Sequence, residues 1–239
     1  MKPERGVALL LVLWLLALLS VLLAALAATV QLQLHQAQWL GGQTQALLAA
    51  EGGIDQAVIA LQARDPAARW AADGQPHIAR LGDAGLVVRV RSERGKLDLN
   101  SAPLSAVRRL LQSAGASPQA AEAISRALEQ QRNGPAPVRT VEALRALPGM
   151  SFELYRAMAP LVTVWSGEAQ PDPSLAPPQL ARALGLPAAR AANPQAGQIF
   201  TLDSEARLPD GGHAELRVTL ILTSAKEGAR PYRVLRWQE

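Results

Sequence analysis

Residues 7–30 read VALLLVLWLLALLSVLLAALAATV, and this stretch decides the fold. It holds no charge, proline or glycine, and only Ser20 and Thr29 soften it. As a helix rising ~1.5 Å per residue it would cross a hydrocarbon layer ~30 Å thick. Lys2 and Arg5 precede it, which places the N-terminal side in the cytoplasm and the rest of the chain outside. A cleaved secretory signal is the other reading, with Ala24-Ala25-Leu26-Ala27-Ala28 as its cleavage region. A signal's apolar region is only ~7–15 residues long, and here a helical pattern continues past it, so a retained single-pass anchor is expected.

Beyond Val30, Leu40, Leu47, Ile54 and Leu61 recur every seven residues, with Val58 beside them. One helix is therefore expected from about Val7 to Leu61, embedded in membrane first and then packed by its apolar stripe on a folded head. Gly52-Gly53 is the weak point in that pattern.

The head alternates between two patterns. Leu86-Val87-Val88-Arg89-Val90-Arg91-Ser92-Glu93 reads as a strand, with Leu86, Val88 and Val90 inward and Arg89, Arg91 and Glu93 outward. Near the end, Phe200, Leu202, Ala206 and Leu208 share one strand face. Pro209-Asp210-Gly211-Gly212 turns the chain, and Ala214, Leu216, Val218, Leu220 and Leu222 share the next face. Tyr232 to Trp237 supplies another strand. Between these blocks the spacing predicts helices over Pro103 to Ser113, Pro118 to Arg132, Val138 to Leu147 and from a Ser151 cap to Met158, with a loop over Pro171 to Pro178. The fold class is thus α+β: a long N-terminal helix on a small antiparallel sheet, with a helical domain inserted between strands. The expected division is 1–6, a leader; 7–30, the membrane helix; 31–99, the amphipathic helix and first strands; 100–195, the helical insertion; and 196–239, the closing strands.

Composition narrows the chemistry. The 239 residues include no cysteine, which excludes disulfides and thiol catalysis. His35, His77 and His213 are too far apart to suggest a metal cluster. The net charge is +4, carried mostly by arginine, with no basic run. No Gly-x-Ser-x-Gly elbow or phosphate-cradling glycine loop is present, so no enzyme is expected. Leu144 to Pro160 has a helix-hairpin-helix outline around Pro148-Gly149-Met150-Ser151. The turn lacks a second glycine, so packing is favoured over DNA phosphate binding; a membrane-anchored DNA-binding protein stays as the alternative.

A short charged leader ending in Gly6, followed at once by a long apolar helix, resembles a type IV prepilin-like leader. The resemblance implies cleavage by prepilin peptidase between Gly6 and Val7 and N-methylation of Val7. The class usually has glutamate at the fifth mature position, which here is Leu11. Its absence is a feature of the K-type minor pseudopilin of the type II secretion system, the general secretion pathway protein K family. Gly95-Lys96-Leu97-Asp98-Leu99-Asn100-Ser101-Ala102-Pro103, Leu144 to Met150 and the Tyr232 to Trp237 ending are similar to that family as well. The resemblance implies a head in the periplasm at the tip of a pseudopilus. It also implies partners in the I- and J-type minor pseudopilins, the major pseudopilin, prepilin peptidase and the inner membrane, and no nucleic acid. Family members can bind calcium in the helical domain, but Asp98, Glu168 and Asp172 are isolated here, so no cofactor is expected.

Overall fold

The computed structural model describes residues 4–188, 196–223 and 231–239. Helix α1 (Glu4–Leu61) runs 58 residues without a break, about 87 Å at the usual rise. It stops where Asp65 and Pro66 follow: the Asp65 carboxylate accepts from Ala67 N at 2.9 Å, and proline cannot continue the ladder.

Strands β1 (Asp73–Leu81), β2 (Ala84–Ser92), β5 (Ile199–Arg207), β6 (His213–Leu222) and β7 (Tyr232–Gln238) form one sheet in the order β1-β2-β5-β6-β7. All its neighbours are antiparallel. Leu86, Val88 and Val90 of β2, Phe200, Leu202 and Ala206 of β5, and Ala214, Leu216, Val218 and Leu220 of β6 turn one face to α1 and are buried. Strand β1 carries Gly74 and Pro76 and shows a register shift between Asp73 and Pro76. Both residues weaken a strand pattern and suit an edge, which is where β1 lies.

Ser92 ends β2 directly opposite Phe200 at the start of β5. The chain leaves and re-enters the sheet at neighbouring points, so the segment between them folds without disturbing the pairing. It contains α2 (Leu104–Ser113), α3 (Pro118–Arg132), α4 (Phe152–Met158) and α5 (Pro178–Leu184), with β3 (Leu97–Asp98) and β4 (Val162–Thr163) paired in parallel at its base. Its own core includes Leu99, Leu110, Leu111, Ile124, Leu128, Leu144, Met158 and Leu180. Ser117 caps α3 and Ser151 caps α4, each accepting from a backbone N–H at 3.1 Å.

Three expectations change. Val138 to Leu147 is not an α-helix but a 3-10 turn over Val141–Ala146; Val138 is instead taken up in pairing with Asn100. Pro178 does not close a loop; it opens α5. Leu40 of the heptad stripe is exposed, while the buried face of α1 is mostly small: Ala46, Ala49, Ala50, Ala57 and Val58, with Ile54.

The Leu97 to Pro103 string has a mechanical role. Asp98 Oδ1 accepts from Asn100 N and Ser101 N at 2.8 and 3.1 Å, and Oδ2 from Ser166 Oγ and Gly167 N at 3.1 and 2.9 Å. Asn100 holds Val138 with both ends of its amide, each bond 2.9 Å. Arg132 donates to Leu99 O at 2.5 Å and Ala102 O at 2.7 Å. Burial pulls the Arg132 guanidinium below its ordinary pKa, against the opposing pull of Asp98 and Glu129. Asn100→Ala breaks two of these bonds and is expected to cost about 1–3 kcal/mol, measured as a lower urea midpoint at unchanged m-value.

Candidate assembly interface

Helix α1 presents two kinds of surface. Every side chain from Leu11 to Ala24 is exposed, Trp14 at 73% and Leu11 at 66%. An apolar surface this continuous is unfavourable in water and calls for lipid or protein cover. Gly6 and Val7 lie in the first turns of α1, but the Val7 side chain, and Met1 to Pro3, fall outside what is described. Among the described residues no helix is long and apolar enough to cross a membrane. The run of exposed side chains, Leu11–Ala24, measures about 21 Å.

The second surface is where α1 meets the head. Gly53 lies so close to the sheet that an added Cβ would overlap Ser204 Oγ and come within 3.2 Å of Val88 Cγ2. A Cβ at Gly52 would overlap Leu81 Cδ2. Nearer the apolar half, Gly42 touches the β5–β6 turn: a Cβ there would lie 3.3 Å from Asp210 Oδ2, and one on Gly212 only 2.9 Å from Gly42 O. The glycines that weaken the helix pattern are thus the points at which helix and sheet come together. Three side chains tie the margins. Tyr232 donates to Asp55 at 2.9 Å, Gln62 to Pro231 O at 3.1 Å and Gln56 to Arg80 O at 3.2 Å.

The opposite sheet face is polar. Arg91 of β2 and Arg217 of β6 both bond the carboxylate of Asp203 on β5, which is 6% exposed. Arg236 of β7 pairs with Glu142 of the helical domain. Glu93 is not outward, as strand alternation implies; it is 1% exposed, because β2 ends at Ser92 and Glu93 enters a 3-10 turn. There Lys96 Nζ donates to Glu93 Oε1 at 2.5 Å, Thr201 Oγ1 donates to the same oxygen at 2.6 Å, and Thr201 and Thr219 hydroxyls meet at 2.8 Å. At the far end of β5, the Arg207 guanidinium holds the Glu205 carboxyl below the usual carboxylate range, with His213 assisting.

The remaining candidates are accounted for by local structure. Asp98 spends both oxygens on four donors, Glu168 pairs with Arg94 at 3.1 Å, and Asp172 accepts from Ser174 N and Oγ at 2.9 and 2.6 Å. These carboxylates do not converge, and no group of three His, Asp or Glu among the described residues has metal-holding spacing. At the hairpin-like turn, Gly149 adopts φ +88° beneath Ile124, and Leu144, Leu154 and Met158 are buried in the helical core. That turn packs. His77 stacks on Trp70 with ring centroids 4.3 Å apart.

No family model matches the sequence, and no curated protein matches it. Among solved structures, the chain is similar to one from the crystal structure of the GspK-GspI-GspJ complex from the enterotoxigenic Escherichia coli Type 2 Secretion System. The TM-score is 0.58 at 15% identity, covering 85% of this chain and 98% of that one. The fold is pseudopilin-like: a long helix laid on an antiparallel sheet.

Proposed function

We propose that this chain is a minor pseudopilin of the K type, acting in assembly of the type II secretion pseudopilus. The observation that carries the reading is the joint occurrence of three features: a helix with a bare apolar half, a helical domain inserted between two adjacent strands, and leucine at position 11. The N-terminal segment anchors the chain in the inner membrane with the head in the periplasm, after prepilin peptidase cuts between Gly6 and Val7 and the new N-terminus is methylated. The anchor then leaves the bilayer, and its exposed side chains are covered by neighbouring helices.

Leu11 fits a terminal place in such a filament. A glutamate in a membrane helix is costly unless it meets a partner such as the amine of the next subunit. A subunit with nothing above it receives no such amine, and leucine removes the cost. The helical domain widens the head beyond the sheet that α1 covers, which hinders another subunit from stacking on it. The function is therefore capping and initiation, with I- and J-type minor pseudopilins and the major pseudopilin as partners, in export of folded proteins across the outer membrane.

Co-expression with the I- and J-type pseudopilins of the same genome tests this. A stable ternary species in size-exclusion chromatography is expected. Elution of this chain apart from both partners would contradict it.

A further inference from the structure

The helical domain stands over the polar face of the sheet without closing on it. Between them lies a cleft of about 480 Å³. Five cationic side chains line it: Arg91, Lys96, Arg156, Arg217 and Arg236. Three carboxylates answer them, Asp203 shared between Arg91 and Arg217, Glu93 on Lys96, and Glu142 on Arg236. The arithmetic leaves two positive charges in excess, one around Asp203 and one on Arg156. Arg156 is exposed, lies 5.8 Å over the Phe152 ring and forms no ion pair among the described residues. A recess with protein walls concentrates the field of such an excess and raises the local concentration of anions.

The rest of the lining sets the kind of anion. Tyr155, Pro160 and Trp165 form an apolar wall, while Gln179 adds a neutral hydrogen-bonding group. Phosphate sites are typically built from glycine-rich loops and the first N–H groups of a helix. No glycine lines this cleft, and the helix start that borders it, Pro177 to Gln179 at α5, has two prolines, which offer an anion no N–H. An extended chain with carboxylate side chains suits it better: an apolar wall on one side, and guanidinium groups on the other for bidentate contact with carboxylates.

We propose that this cleft binds an acidic peptide segment, with Arg217 and Arg156 engaging its carboxylates. Occupancy of the cleft is independent of whether the chain joins a filament, so the two readings fail separately.

The test uses the full chain in detergent micelles and fluorescence polarisation of a labelled acetyl-Asp-Glu-Asp-Glu peptide. Binding is expected, weakening about fivefold or more as sodium chloride rises from about 50 to 300 mM. The Asn-Gln-Asn-Gln peptide should not bind. Arg156→Gln/Arg217→Gln should weaken binding about tenfold, and Arg217→Lys about threefold, since the ammonium keeps the charge and loses the bidentate contact. Should the double variant fail to fold, Arg156→Gln alone, at an exposed position, should still weaken binding about threefold. The proposal is overturned by absence of binding, by equal affinity for the Asn-Gln peptide, or by arginine variants that bind as the parent does. Displacement of the labelled peptide by inorganic phosphate or a single-stranded oligonucleotide at lower concentration than by unlabelled peptide would overturn it as well.

Discussion

Lys96→Met is expected to destabilise the protein by about 3–5 kcal/mol, the typical cost of leaving one partner of a buried ion pair alone. Lys96 is 8% exposed and Glu93 1%. The ammonium is the only cation within ion-pairing reach of that carboxylate among the described residues. Without it, Glu93 keeps one hydroxyl donor, Thr201, and its Oε2 already has no hydrogen-bond partner. The pair fastens the turn at which the chain passes from β2 into the helical domain, so its loss loosens both. The double variant Glu93→Gln/Lys96→Met should recover most of the loss, because no charge is then left buried. Urea unfolding of the three proteins measures this. A cost under about 1 kcal/mol for Lys96→Met, or no recovery in the double variant, would mean that water reaches the site.

Gly53→Leu is expected to cost about 3 kcal/mol or more, at the high end for overpacking a filled interface. Its Cβ would overlap Ser204 Oγ and crowd Val88 Cγ2, and both Ser204 and Val88 are fully buried at 0%. The helix must then lift from the sheet, exposing Ile54, Ala57 and Val58. Gly41 supplies the internal control. No atom lies within 4 Å of a Cβ there, so Gly41→Ala should raise stability by up to ~1 kcal/mol through helix propensity alone. Opposite signs for two glycines in one helix separate contact from propensity, and a loss at Gly41 would refute the close-approach account of Gly53.

What the sequence made readable was what burial repeats. The apolar run of α1 is too long for any element but a helix, and the alternation in β2, β5 and β6 has the period of a strand. Ser151 and Pro118 announced helix starts because capping chemistry is local. Strand β1 was illegible because an edge strand is half solvated, and Gly74 and Pro76 erase its alternation. Leu47, Ile54, Val58 and Leu61 of the expected stripe do pack on the sheet, but the points of closest approach, Ala46, Ala50, Gly53 and Ala57, are small and carry no apolar signal.

The polar face was hidden for a different reason. Arg91 lies 112 positions from Asp203, and only the β2–β5–β6 register brings it together with Asp203 and Arg217. A signal was nevertheless present: charged residues at outward positions of strands that pair, Arg89 and Arg91 on one strand and Asp203, Glu205, Glu215 and Arg217 on the others. Burial of Glu93 had no such signal, since it depends on the strand ending one residue earlier.

Processing of the N-terminus bears most directly on the role in the pseudopilus. The decisive measurement is intact mass with N-terminal sequencing of the chain purified from its native membrane. A start at N-methylated Val7 is expected. A start near Thr29, or an intact Met1, would contradict it.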